Sequence, residues 1–401
     1  MNTKTCLILI NDAEQKLKKY VAHKTSMNMV QAKLKYLIIT TIAISAVSVL
    51  YLYSSTQEEV YIKIIDNVEY QKKEQDMAQH SQSEKLFDID NFHYIQHNSN
   101  TCKGDTSIKA IFLVTSYFGN VETRSAMRRA FSSEDLKHLN FRRVFLLGRA
   151  PSDKYTSQKS VADEGQRFGD LIQGNFIEAY KNLTYKHVMG LKWASKFCSS
   201  AKYIVKMDDD IVVNIEKVTE LLDSLKMPSR KNVIAGYILR NMQPIREPAN
   251  KWYITAEEYN SSRYPPFVSG WFYVTTPETA ANLVKLSKTN KYFWIDDTYV
   301  TGILANQLKI RHFDIGKYFA VHSEYMECCL DDIRRKNLKC DYLIGPNGGN
   351  NNLFYEFNNA VSICNLNLCK DRMRPLNETC VSKKVHSLGK GKASIRNYKL
   401  H

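Results

Sequence analysis

Short apolar runs alternate with longer amphipathic stretches through the middle of the chain. Apolar runs of about four to eight residues, bounded by turn-forming residues, are typical of buried strands. The pattern predicts strands at 110–116, 143–148, 203–207 and 233–237. Helical periodicity predicts helices at 121–131, 176–197 and 215–225. Because strands and helices alternate, the chain favours an α/β fold with a largely parallel sheet flanked by helices.

A different apolar segment lies near the N-terminus. Residues 36–53 contain no charged side chain, and as a helix they would span about 27 Å. This length matches a thin bilayer, whose hydrocarbon core is also about 27 Å thick. A buried core helix and a cleaved signal peptide are alternatives, but a core helix usually keeps a polar face and a signal peptide begins earlier. The segment therefore predicts a transmembrane anchor.

Charged residues flank this segment unequally. Several lysines and few acidic residues precede it, whereas Glu58 and Glu59 follow it before the next lysine, Lys63. Positive residues favour the cytosolic side of a membrane. We therefore expect a single-pass type II protein with a cytosolic tail at 1–35, a signal-anchor at 36–53 and a lumenal remainder.

Sequons and cysteines agree with a lumenal body. Three N-glycosylation sequons follow the anchor, at Asn182, Asn260 and Asn377, and they predict a glycoprotein. Of the nine cysteines, Cys6 precedes the anchor and the other eight follow it. An even number of cysteines in an oxidising compartment favours disulfide bonds. A zinc site is the alternative, but no Cys-x-x-Cys pair supports it.

The lumenal part divides further by composition. Residues 54–107 are polar and lack apolar periodicity, so we expect a stem between the membrane and a folded body at 108–380. Residues 381–401 carry basic but no acidic side chains, which predicts a flexible basic tail. The net charge of +15 could favour nucleic acid, an anionic membrane or a phosphorylated substrate. Because no nucleic-acid-binding motif accompanies the charge, we expect no nucleic acid partner.

The sharpest local feature is the run Asp208-Asp209-Asp210, directly after the predicted strand at 203–207. Ligands of open α/β sheets bind outside the carboxyl ends of the strands. Carboxylates this close repel each other unless a cation lies nearby. A divalent ion would relieve the repulsion and could also bridge the oxygens of a diphosphate. An acidic surface turn is the alternative.

Six blocks of sequence carry a family resemblance. They are RSAMRRAF at 124–131, FLLG at 145–148, DLI with NF and YKNLTYK between 170 and 186, KMDDDIVVN at 206–214, YPPFVSG at 264–270 and DDTYVTG at 296–302. In this order and spacing they resemble the motifs of the β-1,3-glycosyltransferase family. That family includes β-1,3-galactosyl- and N-acetylglucosaminyltransferases and is related to Fringe. The resemblance covers roughly residues 108–330.

The resemblance implies a fold, a reaction and a location. The fold would be a GT-A-type nucleotide-diphospho-sugar transferase fold with a mixed central sheet, preceded by the transmembrane helix and stem. The enzyme would be an inverting hexosyltransferase that uses Mn²⁺ or another divalent metal and moves a hexose or N-acetylhexosamine from a UDP-sugar. The acceptor would be a glycan hydroxyl on a glycoprotein or glycolipid, joined through a β-1,3 linkage. We expect the protein in the Golgi membrane with its catalytic domain in the lumen.

The resemblance also implies roles for individual residues. Asp208 and Asp210 would hold the metal, with His322 as a further ligand, and Asp209 would contact the donor. Asp297 matches the family's general base, which removes the proton of the attacking acceptor hydroxyl. An acidic helix N-terminus is the alternative for Asp297, and a buried core histidine is the alternative for His322.

Six more positions are assigned to the two substrates. The donor side takes Arg128, Lys186 and Asp170, and the acceptor side takes Asp296, Trp271 and Tyr273. Arg128 and Lys186 could instead form surface ion pairs, and the two aromatic residues could instead belong to the core.

Three positions depart from the family pattern. Phe131, Val268 and Phe272 stand where the family usually has Trp, Cys and Gly. Val268 therefore predicts a disulfide set different from the family's, and Phe272 would add bulk to the wall near the acceptor.

Two other functions stay open. The residues from Asp208 to Val212 also fit the first motif of haloacid-dehalogenase-like phosphatases, although those enzymes carry this motif on their first strand. A lumenal chaperone or lectin could keep a transferase fold without activity, but loss of the metal motif would then be expected.

Overall fold

The computed structural model describes residues 11–12, 14–16, 36–54, 57, 85–151, 156–225 and 232–380. The chain divides into two compact units, Met1–Gln79 and His80–His401. In the first unit, helix α1 (Tyr36–Ser54) reaches a mean hydropathy of 1.9 and is long and apolar enough to cross a membrane. Most of the predicted cytosolic tail and stem, and all of the basic tail at 381–401, lie outside the described residues.

The described residues of the second unit form ten strands. They are β1 (Tyr94–Gln96), β2 (Ala110–Thr115), β3 (Phe141–Arg149), β4 (Leu171–Ile177), β5 (Tyr203–Asp208), β6 (Ile211–Val213), β7 (Val233–Leu239), β8 (Phe267–Thr275), β9 (Arg311–Asp314) and β10 (Ile344–Pro346). Eight of them form one sheet in the order β1-β4-β3-β2-β5-β8-β7-β9, and β6 pairs with β10.

Helices connect and cover these strands. They are α2 (Val121–Ala130), α3 (Ser133–His138), α4 (Gln158–Phe168), α5 (Leu183–Phe197), α6 (Ile215–Ser224), α7 (Pro277–Ser287), α8 (Ala305–Gln307), α9 (Ser323–Lys336), α10 (Leu353–Leu366) and α11 (Leu376–Thr379). Two 3₁₀ turns, at Tyr180–Asn182 and Gly316–Tyr318, and a π-helix, at Thr298–Leu304, complete the connections.

The large sheet is mixed. Parallel pairing joins β4, β3, β2 and β5 in the centre and β7 to β9 at one edge. Strand β8 runs antiparallel to both of its neighbours, β5 and β7, and β1 runs antiparallel to β4. The predicted α/β fold with a mixed central sheet is therefore confirmed, and the arrangement is consistent with the GT-A-type fold.

Both faces of the sheet are buried. Along β2, Phe112 and Val114 belong to one apolar cluster, whereas Ile111 and Leu113 belong to another on the opposite face. This separation follows from the two-residue period of a strand. Because neither face meets water, the strands are nearly continuous apolar runs, which is why the sequence pattern identified several of them.

Part of the segment expected to form the stem is packed on this sheet. Phe87 and Phe92 are buried, β1 extends the sheet next to β4, and Cys102 forms a disulfide with Cys198. The folded body therefore includes residues from 85 onward, and the expected boundary at residue 108 is too late. Polar residues between the few aromatic anchors concealed this packing in the sequence.

All eight cysteines that follow α1 are paired. Besides Cys102–Cys198, the bridges are Cys328–Cys380, Cys329–Cys340 and Cys364–Cys369. The prediction of disulfides after the anchor is confirmed. Cys328–Cys380 joins α9 to the end of the described body, whereas Cys329–Cys340 and Cys364–Cys369 each join a helix, α9 or α10, to the loop that follows it.

Candidate active site

A cavity of about 640 Å³ opens at one edge of the large sheet. Strands β2 and β5 end together at this edge, because Thr115 of β2 lies in register with Asp208 of β5. Strand β7 also ends there, and the antiparallel β8 begins there. Loops after these strands therefore supply most of the wall. This is the edge at which ligands of open α/β sheets bind.

The predicted acidic run lines this cavity. Asp208 is the last residue of β5, and its Oδ1 accepts a hydrogen bond from the Lys206 Nζ at 2.7 Å. Asp209 Oδ2 accepts from Ser116 Oγ at 2.7 Å and from Asn120 Nδ2 at 3.0 Å. Asp210 also lines the cavity and is exposed to it. The backbone thus separates the three carboxylates into distinct environments.

Desolvation and neighbouring charges raise the pKa of two of these carboxyl groups. Burial, followed by the charges of Asp296 and Asp210, raises the pKa of Asp208 to about 7 despite the nearby Lys206. Asp210 is an exposed residue, but the cavity wall removes part of the water around its carboxylate, and this partial desolvation and the charge of Asp209 raise its pKa. A divalent cation would be attracted to this pair, because carboxylate oxygens are suitable ligands and the repulsion would be relieved.

His322 does not join these carboxylates in the described structure. It precedes α9 and its ring packs edge-on against Tyr325, with the centroids 5.7 Å apart. It is not among the described residues that line the cavity. In the described part of the chain, no three or more His, Cys, Asp or Glu side chains are grouped so that they could hold a metal ion. The preceding Ala320 donates its N–H to Ile344 O at 2.7 Å, which fastens this segment to β10 instead.

The second acidic pair, Asp296 and Asp297, lines the same cavity as the first and precedes the π-helix. Burial alone would raise the pKa of Asp296, but a hydrogen bond from His187 and the charge of Lys206 lower it to about 2. Burial, followed by the charge of Asp296, raises the pKa of Asp297 to about 6. Two adjacent carboxyl groups with separated pKa values can take different roles, and Asp297 is the one suited to accept a proton near neutral pH.

Backbone contacts hold Asp297 in place. Its Oδ1 accepts a hydrogen bond from the Thr298 N–H at 2.6 Å, and its carbonyl oxygen lies 2.7 Å from Thr301 Oγ1. The absence of a side chain at Gly270 also matters, because a Cβ there would lie 3.1 Å from Lys206 Nζ and 3.5 Å from Asp297 Cβ. Gly270, which lies in β8, therefore lets Lys206 and Asp297 approach each other.

Arg128 and Asp170 are not among the described residues that line the cavity, so the structure does not bring them to the expected donor side. The Arg128 guanidinium donates to both carboxylate oxygens of Asp170, at 2.9 and 2.7 Å, and to Glu164 Oε1 at 2.7 Å. Both acidic partners are buried, so the arginine is already satisfied. Of the two alternatives considered for Arg128, the ion pair is correct, although it is buried rather than on the surface.

Lys186 does line the cavity, but its charge is compensated. Its Nζ donates to Glu178 Oε1 at 2.6 Å and to Ser116 O at 2.5 Å. The other oxygen of Glu178 accepts from the Gly148 N–H at 2.8 Å. Lys186 therefore joins the loop after β2 to the residue that follows β4, and it is 1% exposed.

The two aromatic residues that were assigned to the acceptor lie in different environments. Trp271 lines the cavity, whereas Tyr273 is fully buried with its hydroxyl 2.6 Å from His187 Nε2, so the structure places Tyr273 in the core and not among the described residues of the cavity. In a strand, residues two apart share a face, but here the rim of the cavity ends before Tyr273.

Sequence reasoning missed several residues at the site. His187 lies in a helix without any motif signal, and Lys206, Glu178, Tyr180, Trp252 and Lys251 were given no role although all five line the cavity. Trp252 Nε1 donates to the Tyr180 hydroxyl at 2.8 Å, and Lys251 Nζ lies 4.2 Å from the Trp252 ring centroid. Only the pairing of an aromatic residue with a lysine at 251–252 could have suggested a binding surface.

A sequence profile described as galactosyltransferase matches residues 122–315. Human β-1,3-galactosyltransferase 5 is 37% identical over 202 residues, which are 50% of this chain and 64% of that protein. Human β-1,3-galactosyltransferase 2 is 33% identical over 55% of this chain and 52% of that protein. Mouse β-1,3-galactosyltransferase 1 is 33% identical over 55% of this chain and 67% of that protein. The match thus spans a little less than two thirds of the first of these relatives.

Solved structures resemble the chain only distantly. A glycosyltransferase involved in glycosylation of the major capsid of PBCV-1 matches with a TM-score of 0.31 and 11% identity over 64% of this chain and 98% of that one. Mouse xyloside xylosyltransferase 1 matches with a TM-score of 0.25 and 13% identity over 60% of this chain and 98% of that one.

Proposed function

Because this chain belongs to the β-1,3-galactosyltransferase-related family, we propose that it is an inverting, metal-dependent glycosyltransferase. It would move a hexose or N-acetylhexosamine from a UDP-sugar to a glycan hydroxyl and form a β-1,3 linkage. The observation that carries the proposal is the cavity at the strand ends, which holds two acidic pairs in different electrostatic states. The family also excludes the haloacid-dehalogenase alternative.

Asp297 is the proposed general base. A sugar hydroxyl is a weak nucleophile, and a carboxylate that accepts its proton during attack lowers the barrier. With a pKa of about 6, Asp297 is ionised near pH 7 and still basic enough to take that proton. Asp296 stays ionised and does not compete for the proton, since its pKa is about 2.

The donor diphosphate is proposed to bind beside Asp208 and Asp210. Two carboxylates fit Mn²⁺ or Mg²⁺, and the bound ion would supply charge neutralisation for the departing diphosphate. Lys251 lines the same cavity as Asp210. Asp209, fixed by Ser116 and Asn120, is proposed to contact the donor's ribose or sugar.

The acceptor is proposed to enter along the aromatic part of the cavity. Trp271, Trp252 and Tyr180 line it, and aromatic faces stack on the C–H face of sugar rings. This wall lies on the same cavity as Asp297, so a stacked sugar could present its hydroxyl to the base. The donor and acceptor sites would then share one cavity.

We also propose a single-pass Golgi membrane protein with a lumenal catalytic unit. Helix α1 provides the anchor, and the four disulfides suit an oxidising lumen. Asn260 and Asn377 are exposed and are the favoured glycosylation sites. Asn182 is less favourable, because its Nδ2 donates to Ile177 O at 2.8 Å.

A transfer assay tests this function. Full-length protein in detergent would be incubated with manganese, a panel of UDP-sugars and oligosaccharide acceptors, and the product linkage would be determined by NMR. We expect one UDP-sugar to give a β-1,3-linked product and excess chelator to abolish it. Glycan binding without turnover of any UDP-sugar would favour the lectin or chaperone alternative.

A further inference from the structure

Two buried side chains extend from the acid pair into the body. His187 of α5 has its Nδ1 2.9 Å from Asp296 Oδ2 and its Nε2 2.6 Å from the Tyr273 hydroxyl. His187 is 1% exposed and Tyr273 is fully buried. We call Tyr273, His187 and Asp296 the Tyr–His–Asp chain. It joins a strand, a helix and the loop that carries the proposed base.

The directions of the two hydrogen bonds follow from the chemistry of the partners. Burial raises the pKa of Tyr273 well above its usual value, so its hydroxyl keeps a proton and donates it to His187 Nε2. The imidazole must then carry its own proton on Nδ1 and donate it to the ionised Asp296. Burial also lowers the pKa of His187, so the ring is neutral near pH 7. One tautomer is therefore selected.

The Tyr–His–Asp chain ends at Asp296, one residue before Asp297. His187 holds Asp296 Oδ2 from one side, and the Lys206 Nζ lies 3.9 Å from the same oxygen. Asp296 and Asp297 share a peptide unit, so a change in the orientation of Asp296 would move the backbone of Asp297. That backbone leads directly into the π-helix, whose Thr301 hydroxyl contacts the Asp297 carbonyl. The acid pair is thus held at both ends.

We propose that His187 is a positioning residue: its Nδ1–H fixes the carboxylate of Asp296 and thereby the aim of Asp297 at the acceptor hydroxyl. The proposal rests on the proposed function. His187 is not among the described residues that line the cavity, so it acts through Asp296 rather than on a substrate. Of the carboxylates proposed to face the donor, Asp208 is the last residue of β5 and Asp210 follows it, so they belong to a different element and donor affinity should depend little on His187.

Two substitutions separate the two hydrogen bonds of His187. An Asn amide can lie where Nδ1 lies, whereas a Gln amide reaches the position of Nε2. In the full-length protein, we expect His187→Asn to keep kcat within about threefold of wild type. We expect His187→Gln to lower kcat about 10- to 100-fold with an unchanged KM for the donor, the size of effect that misplacing a reacting group causes. His138→Gln, at an exposed position, is the control.

Tyr273→Phe keeps the packing but removes the donor to Nε2, and it serves if either His187 variant fails to fold. We expect this variant to lower kcat by a smaller factor, again with an unchanged KM for the donor. Equal kcat values for the Asn and Gln variants, at equal melting temperatures, would overturn the positioning role. So would a fall in kcat that simply follows the melting temperature.

NMR spectroscopy can determine which ring nitrogen of His187 carries the proton, without an activity assay. In ¹⁵N-histidine-labelled protein, with the ring signals assigned by comparison with His187→Asn, His187 should carry its proton on Nδ1 alone. The Nε2–H tautomer or a doubly protonated ring would overturn the proposal, whatever the protein transfers. If wild-type protein showed the predicted tautomer but transferred no sugar to any acceptor, the proposed function would be contradicted and the hydrogen-bond assignment supported.

Discussion

Asp296→Asn should move the pH dependence of transfer to lower pH. The substitution keeps the size of the side chain but removes the negative charge next to Asp297. Burial and that charge together raise the pKa of Asp297 to about 6. Because the base must be ionised to accept a proton, wild-type activity should fall below about pH 6, and the variant should stay active further into the acid range.

The size of the shift follows from the two causes of the raised pKa. Two charges roughly 6 Å apart, at an effective dielectric constant of about 20, interact by about 2.8 kcal/mol, or about two pKa units. Burial remains in the variant, so we expect a shift of about 1 to 2 units. At pH 5, about a tenth of Asp297 would be ionised in wild type, against about three quarters in a variant with a pKa of roughly 4.5.

The assay is kcat as a function of pH, at saturating manganese, donor and acceptor, so that binding does not limit the rate. Asp163→Asn makes the same chemical change on the exposed face of α4 and is the matched control. An acid limb that stays near pH 6 in Asp296→Asn, or moves to higher pH, would refute the electrostatic coupling of the pair. The plateau rate should also fall, since Asn holds its neighbours less firmly than a carboxylate does.

Three further expectations concern stability and glycosylation. Arg128→Ala should lower the free energy of unfolding by about 3–5 kcal/mol in a denaturant titration but leave the affinity for UDP unchanged. Unchanged stability with weakened UDP binding would instead show that Arg128 contacts the donor. Lys186→Met should lower the melting temperature because Glu178 is left buried and unpaired, and adding Glu178→Gln should recover part of the loss; no recovery would contradict the pairing. Asn260→Gln and Asn377→Gln should each increase gel mobility as endoglycosidase does, and if neither does, the lumenal assignment is wrong.

The sequence predicted those parts of the fold and site that depend on local pattern. Strands buried on both faces are nearly uniform apolar runs, so β2, β3, β5 and β7 were visible. Asp208 follows such a strand, and its place at the carboxyl edge was therefore predictable. Strand β8 was not identified, because Ser269, Gly270 and Trp271 interrupt its apolar run where it enters the cavity wall.

Side-chain contacts between residues that are far apart in the sequence could not be predicted. Arg128 and Asp170 are 42 residues apart, and only the parallel packing of β3 and β4 beneath α2 brings them together. His187 and Asp296 are 109 residues apart. A charged residue in a motif block can therefore serve the core or the cavity, and its position in three dimensions decides which. His322 is a second example: it matches a family position in the sequence, but it is not among the described residues that line the cavity.

Asp297→Asn tests the proposed mechanism most directly. The amide is nearly isosteric but cannot accept a proton, so binding of UDP with manganese, measured by calorimetry, should equal that of wild type. Sugar transfer measured on the same preparation should fall about 10²–10⁴-fold, the usual contribution of a positioned general base. Transfer at the wild-type rate, or an equal loss of UDP–manganese affinity and transfer, would show that Asp297 is not the base.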